Sequence, residues 1–308
     1  MKLALGPVQY FWSRQRMQAL YAAAANWPVD VVYLGEVVCP KRRELRLEDW
    51  LELAASLEES GKEVVLSSLA LLEAGSELGV LRRLCRNGRF MVEANDMAAV
   101  SILATEGVPF VGGPTLNIYN ARTLEVLAAH GMRRWVLPFE LSGATAAQLV
   151  AAAPAQCPCE VLAWGRIPLA WSARCYTARA EDRPKDRCEL ACLEDPDGRL
   201  MSTREGEPFL ALNGIQTQSA LTQDLAPLLD ELHAAGVDVL RLSPQAEHMA
   251  EVVRHFAALR AGDADPGRLE TLAALAPAGT CDGYWRGLPG FTGARHMGTV
   301  PTPVPAPC

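Results

Sequence analysis

Along most of the chain, short runs of β-branched and other apolar residues alternate with longer amphipathic stretches. Short apolar runs bounded by turn residues are typical of buried strands, whereas apolar positions at a helical period are typical of helices. The runs that predict strands start near residues 3, 29, 63, 89, 109, 134, 159 and 237. The stretches that predict helices cover residues 13–26, 47–60, 69–85, 97–106, 121–130, 144–153 and 221–235. The pattern is therefore that of repeated strand–helix units.

Eight such strands indicate an α/β fold, here a (β/α)8 TIM-barrel-like domain. The alternative is an open doubly wound sheet, which differs from a barrel in strand order rather than in sequence pattern. We predict a single barrel-like domain over residues 1–293, with an irregular insertion at about residues 166–215, after strand seven. Residues 294–308 are Pro-rich and lack apolar periodicity, which predicts a disordered tail.

Composition and charge limit the classes of partner. Half of the residues are hydrophobic, which suffices for a large core, and the formal net charge is −7. An acidic chain is not expected to bind nucleic acid, because such binding needs a basic surface. Gly6, Pro7 and Arg14 interrupt the first apolar run, so it lacks a signal-peptide pattern, and no run reaches the ~18 apolar residues of a membrane span. We expect a soluble cytoplasmic protein with no membrane span.

The candidate chemistry lies in the cysteines. The chain has nine, and an odd number in a reducing compartment favours metal or redox chemistry over a disulfide framework. Cys175, Cys188 and Cys192 form a C-x12-C-x3-C pattern in the insertion, and Cys39 lies in the loop GEVVCP after strand two. In a barrel, both segments open at the carboxyl-terminal face, where four thiols can converge. The spacing of four predicts that Cys188 and Cys192 share one face of a helical turn.

An all-cysteine site is typical of zinc or of an iron–sulfur cluster. Structural zinc sites commonly use paired C-x2–4-C knuckles, and here only Cys188 and Cys192 have that spacing. A ligand as far upstream as Cys39 suits a cluster whose ligands are spread across a fold. The spacing therefore favours iron–sulfur and leaves zinc open. The charged residues around Cys175, Cys188 and Cys192 argue against simple core cysteines.

Three sequence segments carry a resemblance to a known family. The segment EVLAWGRIPLAWSARCYTARAEDRPKDRCELAC, with GEVVCP upstream and CDGYWRGLPG downstream, resembles the collagenase-like peptidase family, most closely its UbiV branch. The resemblance implies a barrel-like fold and a [4Fe-4S] cluster held by Cys39, Cys175, Cys188 and Cys192. It also implies a heterodimer with a sister protein, UbiU. That pair acts with a lipid-carrier accessory protein in oxygen-independent hydroxylation of an isoprenoid quinone precursor of ubiquinone, with prephenate as the hydroxyl donor.

One departure from the wider family bears on activity. The peptidase-type signature has His-Gly after the strand, whereas this chain has Trp164 and Gly165, so proteolysis through that motif is not expected. Three hypotheses follow: an iron–sulfur subunit of a hydroxylase, a non-catalytic partner subunit with a structural cluster, and a metal-dependent hydrolase. The resemblance gives no ligand role to Cys85, Cys157, Cys159, Cys281 and Cys308. We predict that Cys157 and Cys159, although close in sequence, are structural.

Polar residues just after the strands of a barrel line its carboxyl-terminal mouth and are candidates for substrate binding. Arg166 and Arg174 suit a dicarboxylate such as prephenate, because a guanidinium pairs with a carboxylate through two hydrogen bonds. Asn117 and Glu140 are the other substrate-binding candidates. The remaining polar residues at these positions are Glu36, Glu93, Asn95, Thr115, Asn213 and Gln216. No catalytic residue is assigned.

Overall fold

The computed structural model describes residues 1–263 and 265–293, in which eight parallel strands close into a barrel. The barrel strands are β1 (Lys2–Leu5), β2 (Val31–Leu34), β3 (Glu63–Ser67), β4 (Met91–Ala94), β5 (Phe110–Gly112), β6 (Met132–Val136), β7 (Cys159–Trp171) and β11 (Val239–Leu242). Strand β11 pairs in parallel with both β7 and β1 and closes the cylinder. The predicted (β/α)8 fold is confirmed, and the open doubly wound sheet is excluded.

Helices alternate with these strands on the outside of the barrel. They are α1 (Arg14–Ala24), α2 (Leu47–Glu59), α3 (Gly75–Cys85), α4 (Met97–Thr105), α5 (Ala121–Ala129), α6 (Gly143–Ala152), α8 (Leu229–Ala234), α9 (Met249–Arg260) and α10 (Pro266–Ala274), whereas α7 (Tyr176–Ala180) lies in the segment that follows β7. Several begin where a side chain accepts a hydrogen bond from a free amide of the first turn, as Asp96 does from Ala98 N at 2.7 Å. No described helix is long and apolar enough to cross a membrane.

Two predicted helices differ from the structure. The predicted helix over residues 69–85 starts only at Gly75, because residues 68–74 form a loop after β3. The predicted helix over 221–235 is wrong in its first part, since residues to Asp224 belong to a strand and α8 begins at Leu229. That strand's alternating polar residues pair with β7, and tertiary pairing therefore overrides the local helical spacing of its leucines.

Residues 166–224 form an antiparallel extension of the barrel, which we term the arm. It contains the end of β7, then α7, and then β8 (Arg199–Ser202), β9 (Pro208–Asn213) and β10 (Gln216–Asp224), with β10 paired to both β7 and β9. A short strand, β12 (Thr280–Cys281), pairs with β10. The segment predicted to be irregular thus has strands at both ends, while residues 172–198 contain only α7 and short 3-10 turns. At Gly165, φ is +138° and a Cβ would lie 2.4 Å from Ser243 Cβ, so β7 leaves the barrel where only glycine fits.

The apolar core has two layers. A large outer layer lies between the strands and the helices, whereas a smaller inner cluster inside the barrel includes Val31, Tyr33, Val65 and Val136. The two layers follow from the strand period of two, which points successive side chains to opposite faces. The predicted tail, residues 294–308, lies outside the described residues.

Candidate functional site

The loop after β2 carries Cys39 at the carboxyl-terminal end of the barrel. Its side chain is buried with Val38 and Ile215, and the half-buried Cys175 of the arm packs against the same group. The Glu36 carboxylate accepts hydrogen bonds from the amides of Val38 at 2.8 Å and Cys39 at 3.0 Å. Glu36, a polar residue predicted to lie at this mouth, therefore fixes the loop backbone around Cys39.

Cys175 is held by the turn between β9 and β10. It is the residue before α7, and its Sγ accepts a hydrogen bond from Ala178 N at 3.4 Å. The Gly214 carbonyl accepts one from Tyr176 N at 2.7 Å. Gly214 has φ of +64°, and a Cβ there would lie 2.7 Å from Arg42 Nη2. The turn therefore requires glycine both for its conformation and for the close approach of Arg42.

Cys188 and Cys192 are half-buried and lie at two successive 3-10 turns, Lys185–Arg187 and Ala191–Leu193. The two residues after Cys188 have φ of +49° and +56°, in the left-handed region. A continuous helical turn needs right-handed backbone angles throughout, so the prediction that both thiols share one helical face is wrong. Two residues in the left-handed region, Glu189 and Leu190, instead separate Cys188 from Cys192.

Three of the four predicted ligands act on one another electrostatically. Burial raises the pKa of Cys39 to about 11, the nearby Arg42 guanidinium opposes this rise, and Cys192 adds to it. Burial also raises the pKa of Cys192, where Arg42 again opposes the rise and Cys175 adds to it. Cys39 and Cys192 therefore both lie near Arg42, and Cys175, which packs against the group of Cys39, lies near Cys192.

Side chains of the loop after β2 attach it to the arm in two places. Lys41 Nζ donates to the Lys185 carbonyl oxygen at 2.8 Å, beside the Cys188 segment. Arg42, which is buried, donates to Asn213 Oδ1 at 2.7 Å and to the Gln9 carbonyl oxygen at 2.8 Å. The segments that carry Cys39 and the three arm cysteines are thereby fixed relative to each other.

The residues around these thiols fit an iron–sulfur cluster by their chemistry. Arg42 Nε and Trp171 Nε1 are buried N–H groups that lack a hydrogen-bond acceptor within the described residues. A cluster with four thiolate ligands carries negative charge and accepts N–H hydrogen bonds at its sulfur atoms, so a buried cation and two free donors suit it. Across residues 1–263 and 265–293, no three His, Cys, Asp or Glu side chains are already spaced as a metal-ion site.

The two arginines predicted to bind substrate have different surroundings. Arg166 is buried in β7, and its guanidinium donates to the carbonyl oxygens of Asp197 and, at 3.2 Å, Ala220. These bonds hold the arm's backbone and occupy part of the guanidinium. Arg174 is exposed next to Cys175, so its guanidinium is at the surface. The structure therefore does not place the two arginine side chains together in one pocket.

Asn117 and Glu140 lie in the loops after β5 and β6. Asn117 is exposed and follows a 3-10 turn, where its φ of +53° makes it a local cap. Glu140 accepts a hydrogen bond from Tyr119, whose pKa rises to about 12 through burial and through this carboxylate. Both side chains therefore have a local structural role.

A buried network of charges crosses the barrel interior. Glu160 is fully buried and lies 2.6 Å from Arg241 Nε and 3.3 Å from Arg134 Nε, and it accepts a hydrogen bond from Tyr33 at 2.6 Å. Arg241 Nη2 lies 2.7 Å from Glu93 Oε1, in a geometry that gives an ion pair without a well-directed hydrogen bond. Every carboxylate of this network therefore faces a cation.

The upper end of this network borders the barrel mouth. A cavity of about 30 Å3 there is lined by Glu93, Asn95, Arg166 and Arg241, among others. Asn95 Nδ2 donates to the Ser68 carbonyl oxygen at 2.9 Å. Glu93 and Asn95 were predicted to lie at the mouth, but Arg241 was not. A charged residue inside a buried apolar strand was the signal that could have indicated it.

Four of the cysteines without a predicted ligand role are buried. Cys85, Cys157 and Cys159 belong to the outer core layer, and Cys281 lies on β12. Cys157 Sγ donates a hydrogen bond to the Met132 carbonyl oxygen at 3.1 Å. These contacts agree with structural roles, and Cys308 lies outside the described residues.

The fold and the site define a (β/α)8 barrel with a cysteine-bearing arm at its carboxyl-terminal face. Residues 15–265 match the family described as Peptidase family U32. The chain belongs to this family, which is the collagenase-like family that the sequence resembles. In place of the family's His-Gly, Trp164 is fully buried, donates to Gln245 Oε1 at 2.9 Å and packs edge-on against Phe256. It serves the core.

Solved structures of several barrel enzymes are also similar to this chain. Dihydropteroate synthase from Thermus thermophilus is 13% identical with a TM-score of 0.42, over 88% of this chain and 94% of that one. A fructose-1,6-bisphosphate aldolase from Coccidioides immitis is 11% identical with a TM-score of 0.41, over 87% and 82%. A DAHP synthase from Thermotoga maritima is 11% identical with a TM-score of 0.37, over 87% and 70%.

Proposed function

We propose that this chain is a UbiV-type iron–sulfur subunit that binds a [4Fe-4S] cluster through Cys39, Cys175, Cys188 and Cys192. The observation that carries the proposal is that Cys39 packs with Cys175 and that the buried Arg42 lies near both Cys39 and Cys192. The place of Cys188 rests on the resemblance to the UbiV branch and on its position four residues before Cys192. When bound, such a cluster supplies one-electron redox chemistry or a Lewis-acidic iron.

The chain's own residues have separate tasks around the thiols. Glu36 orients the Cys39 backbone, and the Gly214 turn orients Cys175. Arg42 places positive charge next to sulfur atoms that must become thiolates to bind iron, which offsets part of the cost of burying their charge. Val38, Ile215 and Trp171 surround the thiols with apolar surface, which limits the access of water.

In this proposal the subunit acts in the cytoplasm as a heterodimer with UbiU and with the lipid-carrier accessory protein of the same pathway. The complex hydroxylates an isoprenoid quinone precursor of ubiquinone without dioxygen, and prephenate donates the hydroxyl group. Arg174, exposed beside Cys175, is the better placed of the two arginines to meet a dicarboxylate, because part of the Arg166 guanidinium is bound to main-chain carbonyls.

A second candidate is a non-catalytic partner subunit whose cluster is structural. The observation that favours it is that the thiols come from two separate segments, the loop after β2 and the arm, which Lys41 and Arg42 already connect. A cluster there would cross-link the two. A metal-dependent hydrolase gains no support, because Trp164 stands in the core where the peptidase-type signature has histidine.

The test is hydroxylation by the complex of this chain with UbiU, purified without oxygen. The assay supplies prephenate, the lipid-carrier protein and the isoprenoid precursor, and each of the four cysteines is replaced in turn by alanine. Loss of the cluster and of hydroxylation, with an intact dimer, supports the proposal. Hydroxylation that persists without the cluster makes the cluster structural. Absence of hydroxylation by the wild-type complex overturns the hydroxylase assignment.

A further inference from the structure

A gap in the ring of outer helices leaves a pocket on the side of the barrel. Helix α2 packs against α1, and α3 packs against α4, while a cavity of about 850 Å3 opens between α2 and α3. This volume is within the range of small-molecule binding sites. The pocket lies outside the barrel wall, behind the loop after β2, and is separate from the barrel mouth.

The inner wall of this pocket is apolar. Its floor includes Leu34 on β2 and Leu66 on β3, whose side chains point outward into the layer that helices cover elsewhere in the barrel. Trp50 packs edge-on against Tyr21 and is fixed by that contact. The other apolar lining residues are Leu45, Leu47, Leu69, Leu72, Val80, Leu81 and Leu84. Val80 is 50% exposed at the opening.

The mouth of the pocket carries cations without close counterions. Arg43 and Arg46 are exposed, and neither guanidinium lies within 4.0 Å of a carboxylate oxygen in the described part of the chain. Arg83 on α3 and Glu48 on α2 face each other across the opening at 3.9 Å. The Glu77 carboxylate is occupied by the amides of neighbouring residues at 2.6 and 3.2 Å.

The two remaining charged lining residues are turned to other partners. Arg42 binds Asn213 and the Gln9 carbonyl oxygen, and Glu36 binds the amides around Cys39. The charge available to a ligand is therefore that of Arg43 and Arg46. Since a guanidinium binds a carboxylate or phosphate well, this mouth suits an acidic group.

We propose that the pocket between α2 and α3 binds a single-chain amphiphile, with its apolar chain on Leu34 and Leu66 and its acidic head at Arg43 and Arg46. Burial of the chain against leucine side chains supplies most of the affinity, and the two arginines select the charged head group. The pocket shares Glu36, Pro40 and Arg42 with the loop that carries Cys39, but no cysteine lines it, so the proposed ligand would not contact the thiols.

The test is displacement of cis-parinarate, a fluorescent fatty acid, from the full-length protein. Palmitate should displace the probe, and hexadecanol should do so about tenfold more weakly, because it lacks the charge that the arginines bind. Farnesoate, compared with palmitate, shows whether a branched isoprenoid chain or a straight chain fits better. Absence of saturable probe binding, or equal displacement by palmitate and hexadecanol, overturns the proposal.

Two variants test the location. Val80→Trp should fill the opening and weaken probe binding at least about tenfold, since it removes the space for the chain. Val126→Trp is the matched control, because Val126 is 46% exposed on α5, far from this pocket. Far-UV circular dichroism checks that both variants fold. Equal binding by the two variants contradicts the proposed site. Replacing both Arg43 and Arg46 with alanine should abolish the preference for palmitate over hexadecanol.

Discussion

The barrel interior and the junction between the arm and the loop after β2 bury their polar groups in opposite ways. In the barrel, Glu160 faces arginine side chains on both neighbouring strands, and Glu93 on β4 faces Arg241 of β11 across the interior. At the junction, Arg42 lies near Cys39 and Cys192 and 3.8 Å from a Glu36 carboxylate oxygen, and its buried Nε lacks an acceptor among the described residues. The barrel interior therefore balances its buried charges with one another, although Arg134 Nη2 lacks a hydrogen-bond acceptor among the described residues. The junction instead has buried donors next to cysteine thiols, which a bound cluster would satisfy.

The largest effect on stability is expected for a change in the barrel interior. Glu160→Gln removes the carboxylate that Arg241 and Arg134 share, so each buried arginine keeps only one carboxylate partner, Glu93 or Glu63. The free energy of unfolding should fall by about 3–5 kcal/mol. Chemical denaturation followed by circular dichroism measures it.

The matched control for that change is an exposed ion pair. Glu58→Gln removes the partner of Arg89 on the surface and should cost less than about 1 kcal/mol, because solvent screens both charges. Equal losses of stability in the two variants would show that the interior network stabilises the fold no more than an exposed ion pair does.

A smaller effect on stability is expected for a change at the junction. Arg42→Gln removes buried hydrogen bonds to Asn213 and the Gln9 carbonyl oxygen, and should lower the free energy of unfolding by about 1–3 kcal/mol. Limited proteolysis should also cut the arm faster, because the arm loses an attachment to the loop after β2. Arg43→Gln, at an exposed position, should change stability by less than about 0.5 kcal/mol. An arm as protected as in the wild type would show that Arg42 does not hold the junction together.

The smallest effect is expected where the arm returns to the barrel. Burial raises the pKa of Asp224 to about 7, and the neighbouring Asp282 adds to this rise. In the unfolded chain the group ionises near pH 4, so the folded state holds an extra proton between about pH 4 and pH 7, and stability falls as the pH rises through that window.

Asp224→Asn should remove that dependence. We expect the variant to match the wild type at pH 4 and to exceed its free energy of unfolding by about 1–2 kcal/mol at pH 8. Denaturant titrations at the two pH values measure the difference. A variant that is less stable than the wild type at pH 8 would mean that the ionised carboxylate is stabilised in the folded state.

The sequence was sufficient to predict the barrel but not the arm. The strands of the barrel are buried on both faces, so their apolar runs stand out and their order along the chain predicts the sheet. Strand β10, with the sequence QTQSALTQD, is polar and buried only through pairing with its neighbours, so local pattern did not indicate it. The leucines after Leu221 suggested a helix at the same positions.

The candidate site was also predictable only in part. The carboxyl-terminal face of a barrel predicted that the loop with Cys39 would meet the segment with Cys175. The part played by Arg42 depends on the Gly214 turn, which brings Asn213 within 2.7 Å, and no spacing rule gives such a contact. The partners of Glu160 likewise depend on strand register, which is fixed only in the closed barrel.

The most direct test of the account is the iron and sulfide content of the protein purified without oxygen, in the wild type and in two cysteine variants. Cys39→Ala removes a proposed ligand, and Cys157→Ala removes a buried cysteine that donates to the Met132 carbonyl oxygen. We predict about four iron and four sulfide per chain in the wild type and in Cys157→Ala, and near-complete loss in Cys39→Ala. One zinc per chain in the wild type, or equal loss of iron in both variants, would contradict the account.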